Sequence, residues 1–124
     1  MPVLRLSSLP HTWLIDIDGT ILRHNGHKEG KEELLPGVLE FWKKIPKEDT
    51  IILLSARTEE EKPQTLRFLQ SHGLHFHEAI FGLPKGERIL LNDSKPQGLN
   101  TALAVNVARD AGLGDLKLIF DPTL

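Results

Sequence analysis

The sequence predicts an α/β protein whose core is a Rossmann-like, doubly wound parallel sheet in a three-layer α/β/α sandwich. Short apolar runs alternate along the chain with longer segments that carry apolar residues at helical spacing, the pattern of strands joined by helical crossovers. The runs are apolar throughout and do not alternate with polar residues, as expected for strands covered on both faces. Right-handed crossovers would then place helices on both sides of the sheet.

Length and composition narrow the class of protein. The chain has 124 residues, enough for one domain over residues 1–124 with a single core. The net charge of −2 argues against a non-specific nucleic-acid binder. The absence of cysteine excludes disulfides, thiolate metal sites and cysteine nucleophiles. We find no signal peptide at the start and no run of membrane-spanning length, so we expect a cytoplasmic protein without nucleic-acid or membrane partners.

The predicted elements follow in order. Residues 1–11 are an irregular lead-in or an edge segment, and the first buried strand covers 12–17. Residues 19–35 form a short flap, because Asn25-Gly26 is a strong tight-turn signal and no segment is long enough for a separate cap domain. The remaining expected elements are a helix from Pro36-Gly37 to Pro46, a strand at 50–54, a helix at about 59–72, strands at 79–81 and 89–91, a helix at 101–111 and a strand at 116–120.

The most informative stretch is Thr12–Thr20, where an apolar strand ends in Asp16-Ile17-Asp18-Gly19-Thr20. Ligands of open parallel sheets bind beyond the carboxyl ends of the strands. Side chains two residues apart on a strand share one side, so Asp16 and Asp18 are expected to converge. Two such carboxylates repel unless a cation, a proton or a donor lies between them. The alternative is an ordinary acidic turn, since Asp, Gly and Thr are common in turns.

This stretch resembles the first motif of the haloacid dehalogenase-like (HAD) phosphohydrolase superfamily, and the resemblance to small capless members spans roughly residues 12–112. It implies that Asp16 is a nucleophile forming an aspartyl-phosphate, that Asp18 is the general acid/base and that Mg²⁺ bridges nucleophile and phosphate. Thr20 is expected to contact substrate. The chemistry agrees independently, because a carboxylate can act as a covalent nucleophile but repels a phosphate until a cation neutralises both. Oxygen ligands of this type favour Mg²⁺.

Ser55 follows the strand at 50–54 and matches the family's second motif, in which a hydroxyl binds a phosphate oxygen. Taken alone, a serine at this place is also a common turn residue or helix cap. Arg57 lies two residues further on, and its guanidinium could pair with substrate. The alternative for Arg57, held equally open, is an exposed residue at the start of a helix.

Asp93 follows the expected strand at 89–91 and matches the family's fourth motif, so the resemblance makes Asp93 a metal ligand together with Asp16 and Asp18. The chain departs from a common form of this motif, because Asn92 stands where a second aspartate is frequent. Asparagine offers an amide oxygen but no charge.

The third motif of the family supplies a lysine before that strand, and here Leu83 stands where we expect it. Lys85 or Lys95 could take the role, being long and flexible. We favour Lys85 as the catalytic cation and assign Lys95 to substrate binding. The alternative is that both are solvated surface lysines.

The expected function is a Mg²⁺-dependent phosphomonoesterase acting on a small phosphorylated substrate, such as a sugar phosphate, with a second copy of the chain as a possible lid over the open site. The first alternative is a non-catalytic, degenerate HAD-like module that binds or regulates, favoured by Leu83 and Asn92. The second alternative is a receiver domain that is phosphorylated on aspartate. In receiver domains, however, the phosphorylated aspartate ends a strand later than the first, whereas Asp16 ends the first buried strand here.

Overall fold

Two small parallel sheets organise the chain in the computed structural model, which describes residues 2–124. The five strands are β1 (Val3–Leu6), β2 (Thr12–Asp16), β3 (Thr50–Leu54), β4 (Glu78–Ile80) and β5 (Lys117–Phe120). The α-helices are α1 (Val38–Lys44) and α2 (Lys62–Ser71), and 3₁₀ turns cover Gly26–Lys28 and Glu59–Glu61. β1 pairs with β5, while the second sheet has the order β2-β3-β4.

The protein is therefore a small α/β protein with parallel sheets and few helices. The described residues do not form the single continuous sheet in a three-layer sandwich that the sequence predicts. The expected strands at 12–17, 50–54, 79–81 and 116–120 are present with ends shifted by at most one residue, and the expected helices at about 36–46 and 59–72 are present as α1 and α2. The lead-in over residues 1–11 contains the edge strand β1.

Two expected elements are wrong. The expected strand at 89–91 is irregular, the expected helix at 101–111 has no helical residue, and both segments are largely exposed. A three-residue apolar run becomes a strand only where another strand pairs with it, and none pairs with Ile89-Leu90-Leu91. A helix of about ten residues is marginal in water unless its apolar face is packed, and Leu103 is 53% exposed.

The core lies on one face of the sheet β2-β3-β4. Ile15 on β2, Ile51 and Leu53 on β3, and Ala79 on β4 are buried on that face. They belong to one cluster with side chains of both helices, namely Val38, Phe41 and Trp42 from α1 and Leu69 from α2. Both helices therefore cover the same side of the sheet.

The register between β2 and β3 makes their carboxyl ends level. Thr12 pairs with Thr50 at the start and Asp16 pairs with Leu54 at the end. Ser55 follows directly on β3, and its N–H donates to the carbonyl of Ile80 on β4 at 2.9 Å. The expected site residues on these two strands are thus neighbours.

A buried carboxylate fixes the opposite end of the same strands. Asp49 is 2% exposed and accepts hydrogen bonds from Trp13 Nε1 and His11 Nδ1, each at 2.8 Å, and from the His11 backbone N–H at 3.0 Å. Burial alone would raise the pKa of Asp49, but the bonds from Trp13 and His11 outweigh it and lower that pKa below its ordinary value.

The segment 19–35 folds as a small hairpin-like flap. Leu22 and Leu34 form an antiparallel bridge, and the Leu35 N–H donates to the carbonyl of Ile21 at 2.9 Å. These contacts close the flap on itself, and Glu32 of the flap accepts from Arg57 Nη1 at 2.7 Å near the ends of β2 and β3. Within residues 2–124, neither helix has the length and apolarity needed to cross a membrane.

Candidate active site

Asp16 ends β2 with each carboxylate oxygen occupied by a donor. The Thr20 hydroxyl donates to Oδ2 at 2.9 Å, and Arg88 Nη1 donates to Oδ1 at 2.7 Å. The side chains of Asp16 and Arg88 are both 35% exposed, so a ligand arriving from solvent can reach this pair. Thr20, which the resemblance assigns to substrate contact, donates to Asp16 in this arrangement.

The turn after Asp18 depends on a glycine. Gly19 has φ of +82°, a left-handed conformation that residues with a Cβ adopt only under strain. This turn lets the Gly19 N–H donate to the carbonyl of Leu22 at 2.7 Å. It also exposes the Gly19 carbonyl to the backbone N–H of Asp110, 2.9 Å away. The last part of the chain is thereby attached to the site.

Asp18 does not share a donor with Asp16 but pairs with Arg57. Arg57 Nε donates to the two oxygens of Asp18 at 3.0 and 3.2 Å, and Nη2 donates to Oδ1 at 2.9 Å. The same guanidinium donates to Glu32 of the flap at 2.7 and 2.9 Å. One cation therefore holds two acids, Asp18 after β2 and Glu32 in the flap.

Arg57 is a structural hub and is not an exposed residue at the start of a helix. It is 4% exposed, and its remaining donor position contacts the Thr65 hydroxyl at 2.9 Å. Every N–H of the guanidinium has a partner, so none is left for a phosphate in this arrangement. Burial alone would lower the pKa of Arg57, but hydrogen bonds to Glu32 and Asp18 raise it well above its ordinary value.

Ser55 lies at the level of Asp16 but faces inward. It is 1% exposed, and its hydroxyl accepts a hydrogen bond from the Arg57 backbone N–H at 2.9 Å. The Ser55 carbonyl accepts from the Leu83 N–H at 3.0 Å. The hydroxyl thus fixes the turn that presents Arg57, and contact with a phosphate would require it to rotate.

Arg88 is the residue that sequence reasoning missed. We expected a lysine at this place, yet Lys85 and Lys95 are exposed and Arg88 makes the ion pair with Asp16. Arg88 lies in the loop before the expected strand at 89–91, so a search of that loop for any cation would have included it. Glu32 was missed because nothing in the local sequence of the flap links it to Arg57.

The expected magnesium ligands are not assembled. Among residues 2–124, no three histidine, aspartate or glutamate side chains are grouped to hold a metal ion. Asp93 is exposed in an irregular segment, where its backbone carbonyl accepts from the Thr101 hydroxyl. Asp16 and Asp18 are each engaged by an arginine. The arrangement therefore does not fit Mg²⁺ held by Asp16, Asp18 and Asp93.

A histidine also joins the flap to the start of α2. His27 Nε2 lies 2.6 Å from Glu61 Oε2, and both ring nitrogens of His27 are buried. Glu61 also closes a capping box with Thr58. Hydrogen bonding from the Thr58 backbone, helped by His27, lowers the pKa of Glu61.

Two cavities lie away from these residues. The larger, about 330 Å³, is at the amino-terminal end of β2 and β3, between Leu9, His11, Asp49 and Phe120. The other, about 210 Å³, lies between α1 and Leu113. Neither is lined by Asp16 or Asp18, and the candidate site at the strand ends is instead marked by the half-exposed pair of Asp16 and Arg88.

Comparison of the chain with protein-family models, with curated proteins and with solved structures finds no match.

Proposed function

We propose that the protein is a phosphomonoester hydrolase of the HAD-like type, in which Asp16 accepts the phosphoryl group. The observation that carries this proposal is the placement of Asp16 at the carboxyl end of a parallel strand, with a guanidinium 2.7 Å from one oxygen and a hydroxyl 2.9 Å from the other. The order β2-α1-β3-α2-β4 supports it, because it is half of a doubly wound sheet, in which ligands bind at this end.

Arg88 supplies the charge that the first step needs. An anionic carboxylate and an anionic phosphate repel, and a cation between them removes that barrier. The planar guanidinium has donors left after its contact with Asp16, and its fork matches two phosphate oxygens. Arg88 therefore takes the role for which the sequence suggested Lys85 or Lys95.

The reaction proceeds in two steps on residues of this chain. An Asp16 oxygen attacks phosphorus, the phosphorus–oxygen ester bond breaks, and the leaving oxygen takes a proton from Asp18. Water then gives a proton to Asp18 while its oxygen attacks phosphorus, which releases phosphate and restores the Asp16 carboxylate. Both oxygens of Asp18 face Arg57, so one must turn away from that contact to serve.

We propose that phosphate release requires Mg²⁺, and an assay with and without Mg²⁺ tests this requirement. In HAD-like enzymes the ion neutralises the nucleophile and the phosphate together. We assign no step to it here, because Asp16, Asp18 and Asp93 are not grouped as ligands in the described part of the chain.

The substrate class we propose is a small phosphorylated metabolite such as a sugar phosphate. The Asp16 side chain is 35% exposed, and the flap reaches the site through Glu32, which accepts from the Arg57 that pairs with Asp18. Such a site holds the phosphate firmly and the rest of the substrate loosely.

The test is a panel of phosphorylated sugars, nucleotides and peptides, each assayed with and without Mg²⁺. We expect phosphate release from at least one sugar phosphate by the unmodified protein and none above background by Asp16→Asn. The matched control is Asp115→Asn, which removes an exposed aspartate outside the site. Equal activity of Asp16→Asn and the unmodified protein would overturn the proposal.

A second candidate function is a non-catalytic module that binds a phosphorylated ligand. The ion pairs of Asp18 with Arg57 and of Asp16 with Arg88 favour this non-catalytic module. Calorimetric binding of a sugar phosphate that is never hydrolysed, under the conditions of the panel, would select this alternative.

A further inference from the structure

Arg109 lies against the turn that follows the two motif aspartates. A Cβ built on Gly19 would lie 3.2 Å from Cγ of Arg109 and 3.9 Å from its Cβ and Cδ. The stem of the arginine therefore packs on the side of the turn where the glycine has no side chain. A larger residue at position 19 would press against this stem, in addition to the strain of a φ of +82°. The glycine thus keeps a cationic side chain next to the site.

The residue after Arg109 holds it in this place. Asp110 has φ of +63°, a left-handed conformation that is uncommon for residues other than glycine. Its N–H donates to the carbonyl of Gly19 at 2.9 Å, and its Oδ1 accepts from the His24 N–H at 2.8 Å. A residue persists in a costly backbone conformation only where its surroundings fix it. The contacts of Asp110 with the flap therefore set the position of Arg109 relative to the site.

The charge of Arg109 has no acidic partner in the described part of the chain. Ion pairs within residues 2–124 hold the two other arginines of the site, Arg57 on Asp18 and Arg88 on Asp16, and none includes Arg109. Arg109 is also exposed, so a ligand from solvent can reach it. A cation fixed beside a site in this way attracts an anionic group of the ligand.

Arg109 and Arg88 contact different parts of the site. Arg88 donates directly to the carboxylate of Asp16, which is the end at which a transferred phosphoryl group would bind. Arg109 contacts the turn at Gly19, further along the chain and next to the flap. A guanidinium binds a carboxylate or a phosphate through two parallel hydrogen bonds. The group that suits Arg109 is therefore an anion of the substrate other than the phosphoryl group at Asp16.

We propose that the substrate carries a second anionic group, a carboxylate or a second phosphate, and that Arg109 binds it. This inference rests on the proposed function, since it takes Asp16 as the end of the site that receives the phosphoryl group. It narrows the substrate class from any small phosphorylated metabolite to a bisphosphate or a phosphorylated acid. It also gives the part of the substrate beyond the first phosphate one fixed contact. Arg109 binds substrate and takes no part in bond breaking.

The test is calorimetric titration of the unmodified protein with phosphonates, whose phosphorus–carbon bond is not hydrolysed, each with and without Mg²⁺. An alkylphosphonate is compared with the phosphonocarboxylate and the bisphosphonate of the same chain length, over a series of increasing lengths. We expect at least one ligand with two anionic groups to bind about tenfold more tightly than its partner with one, as for a charge-assisted bidentate contact.

The variants assign that preference to a residue. Arg109→Gln should bring the ratio of the two affinities close to one. Arg109→Lys should restore part of the ratio, because lysine keeps the charge but not the planar fork. The matched control is Arg67→Gln, which removes an exposed arginine of α2 and should keep the full ratio.

Equal affinities within every pair, or no binding by any ligand, would overturn the inference. A preference that Arg109→Gln retains, or that Arg67→Gln also loses, would overturn it as well. The proposed function is judged separately, because the phosphonates report binding without turnover. Hydrolysis of phosphate esters with no such preference would remove only the role of Arg109. A preference lost in Arg109→Gln, with no ester hydrolysed, would support that role and select the non-catalytic module.

Discussion

Arg88 and Asp16 are 72 positions apart in the sequence, yet Arg88 Nη1 lies 2.7 Å from Asp16 Oδ1. The contact joins the end of β2 to a loop that has no regular structure. It gives the candidate nucleophile a cationic neighbour, and it is the feature on which the assignment of a phosphate site depends most.

Replacing Arg88 should reduce turnover without unfolding the protein. We expect Arg88→Ala to lower kcat/KM by about 10²–10³-fold, the usual effect of removing one donor to transition-state charge. The free energy of unfolding should change by no more than about 1 kcal/mol, because the ion pair is partly exposed. Lys85→Ala is the matched control and should retain full activity. If Lys85→Ala loses activity and Arg88→Ala keeps it, the cation that neutralises the phosphate would be Lys85 and not Arg88.

Arg57 should contribute to stability more than any exposed arginine. Arg57→Ala leaves Asp18 and Glu32 without their shared cation, and removing one partner from a buried charge cluster costs about 3–5 kcal/mol. Urea denaturation measures the difference. Arg67→Ala, which removes an exposed arginine of α2, should change the free energy of unfolding by less than about 0.5 kcal/mol. Similar values for the two variants would contradict the role of Arg57 as a hub.

The buried carboxylate of Asp49 should make stability depend on pH. Its pKa is lowered in the folded protein from an ordinary value of 3.8, so its stabilisation is complete above that value and is lost as the pH falls through the lower folded value. Asp49→Asn should cost about 2–3 kcal/mol at neutral pH, and the gap to the unmodified protein should narrow below pH 3.8. Glu48→Gln, at an exposed neighbour, should show no such gap. If the difference in free energy of unfolding between Asp49→Asn and the unmodified protein stays constant down to strongly acidic pH, Asp49 is not the stabilising carboxylate.

Gly112 tests how the end of the chain packs against the start of α1. Its φ is +82°, and a Cβ there would overlap the carbonyl oxygen of Pro36. Gly112→Ala should therefore cost about 3 kcal/mol or more. Gly30→Ala is the control, because Gly30 has φ of +69° with nothing within 4 Å of an added Cβ, and it should cost about 1–2 kcal/mol. Thermal unfolding that ranks the two variants equally would show that the close approach is absent.

Local sequence patterns predicted the parts of the fold that depend on local burial. The apolar runs ending at Asp16 and Leu54 are strands within a residue of their expected ends, because each run pairs and packs where its pattern requires. Residues 89–91 and 101–107 carry equally apolar patterns, but no strand pairs with the first segment and most of the second is exposed. A pattern states that a segment can be buried, not that a partner is in place.

The candidate site, like the fold, contains residues whose positions follow from the local sequence and contacts that do not. Asp16, Thr20 and Ser55 could be placed from the sequence, because each lies at or next to a strand end whose position is set locally. The pairing of Arg57 with Glu32, and of Arg88 with Asp16, depends on how the flap and the loop before residue 89 fold back. Long-range ion pairs of this kind leave no trace in residue spacing.

The most direct measurement of the central claim is mass spectrometry of the protein stopped by acid during turnover. Asp18→Asn should slow the second step, so its peptide containing Asp16 should carry a phosphoryl group that hydroxylamine removes. Asp16→Asn should carry none. A phosphoryl group on another residue, or none on Asp16 while phosphate is being released, would contradict the account.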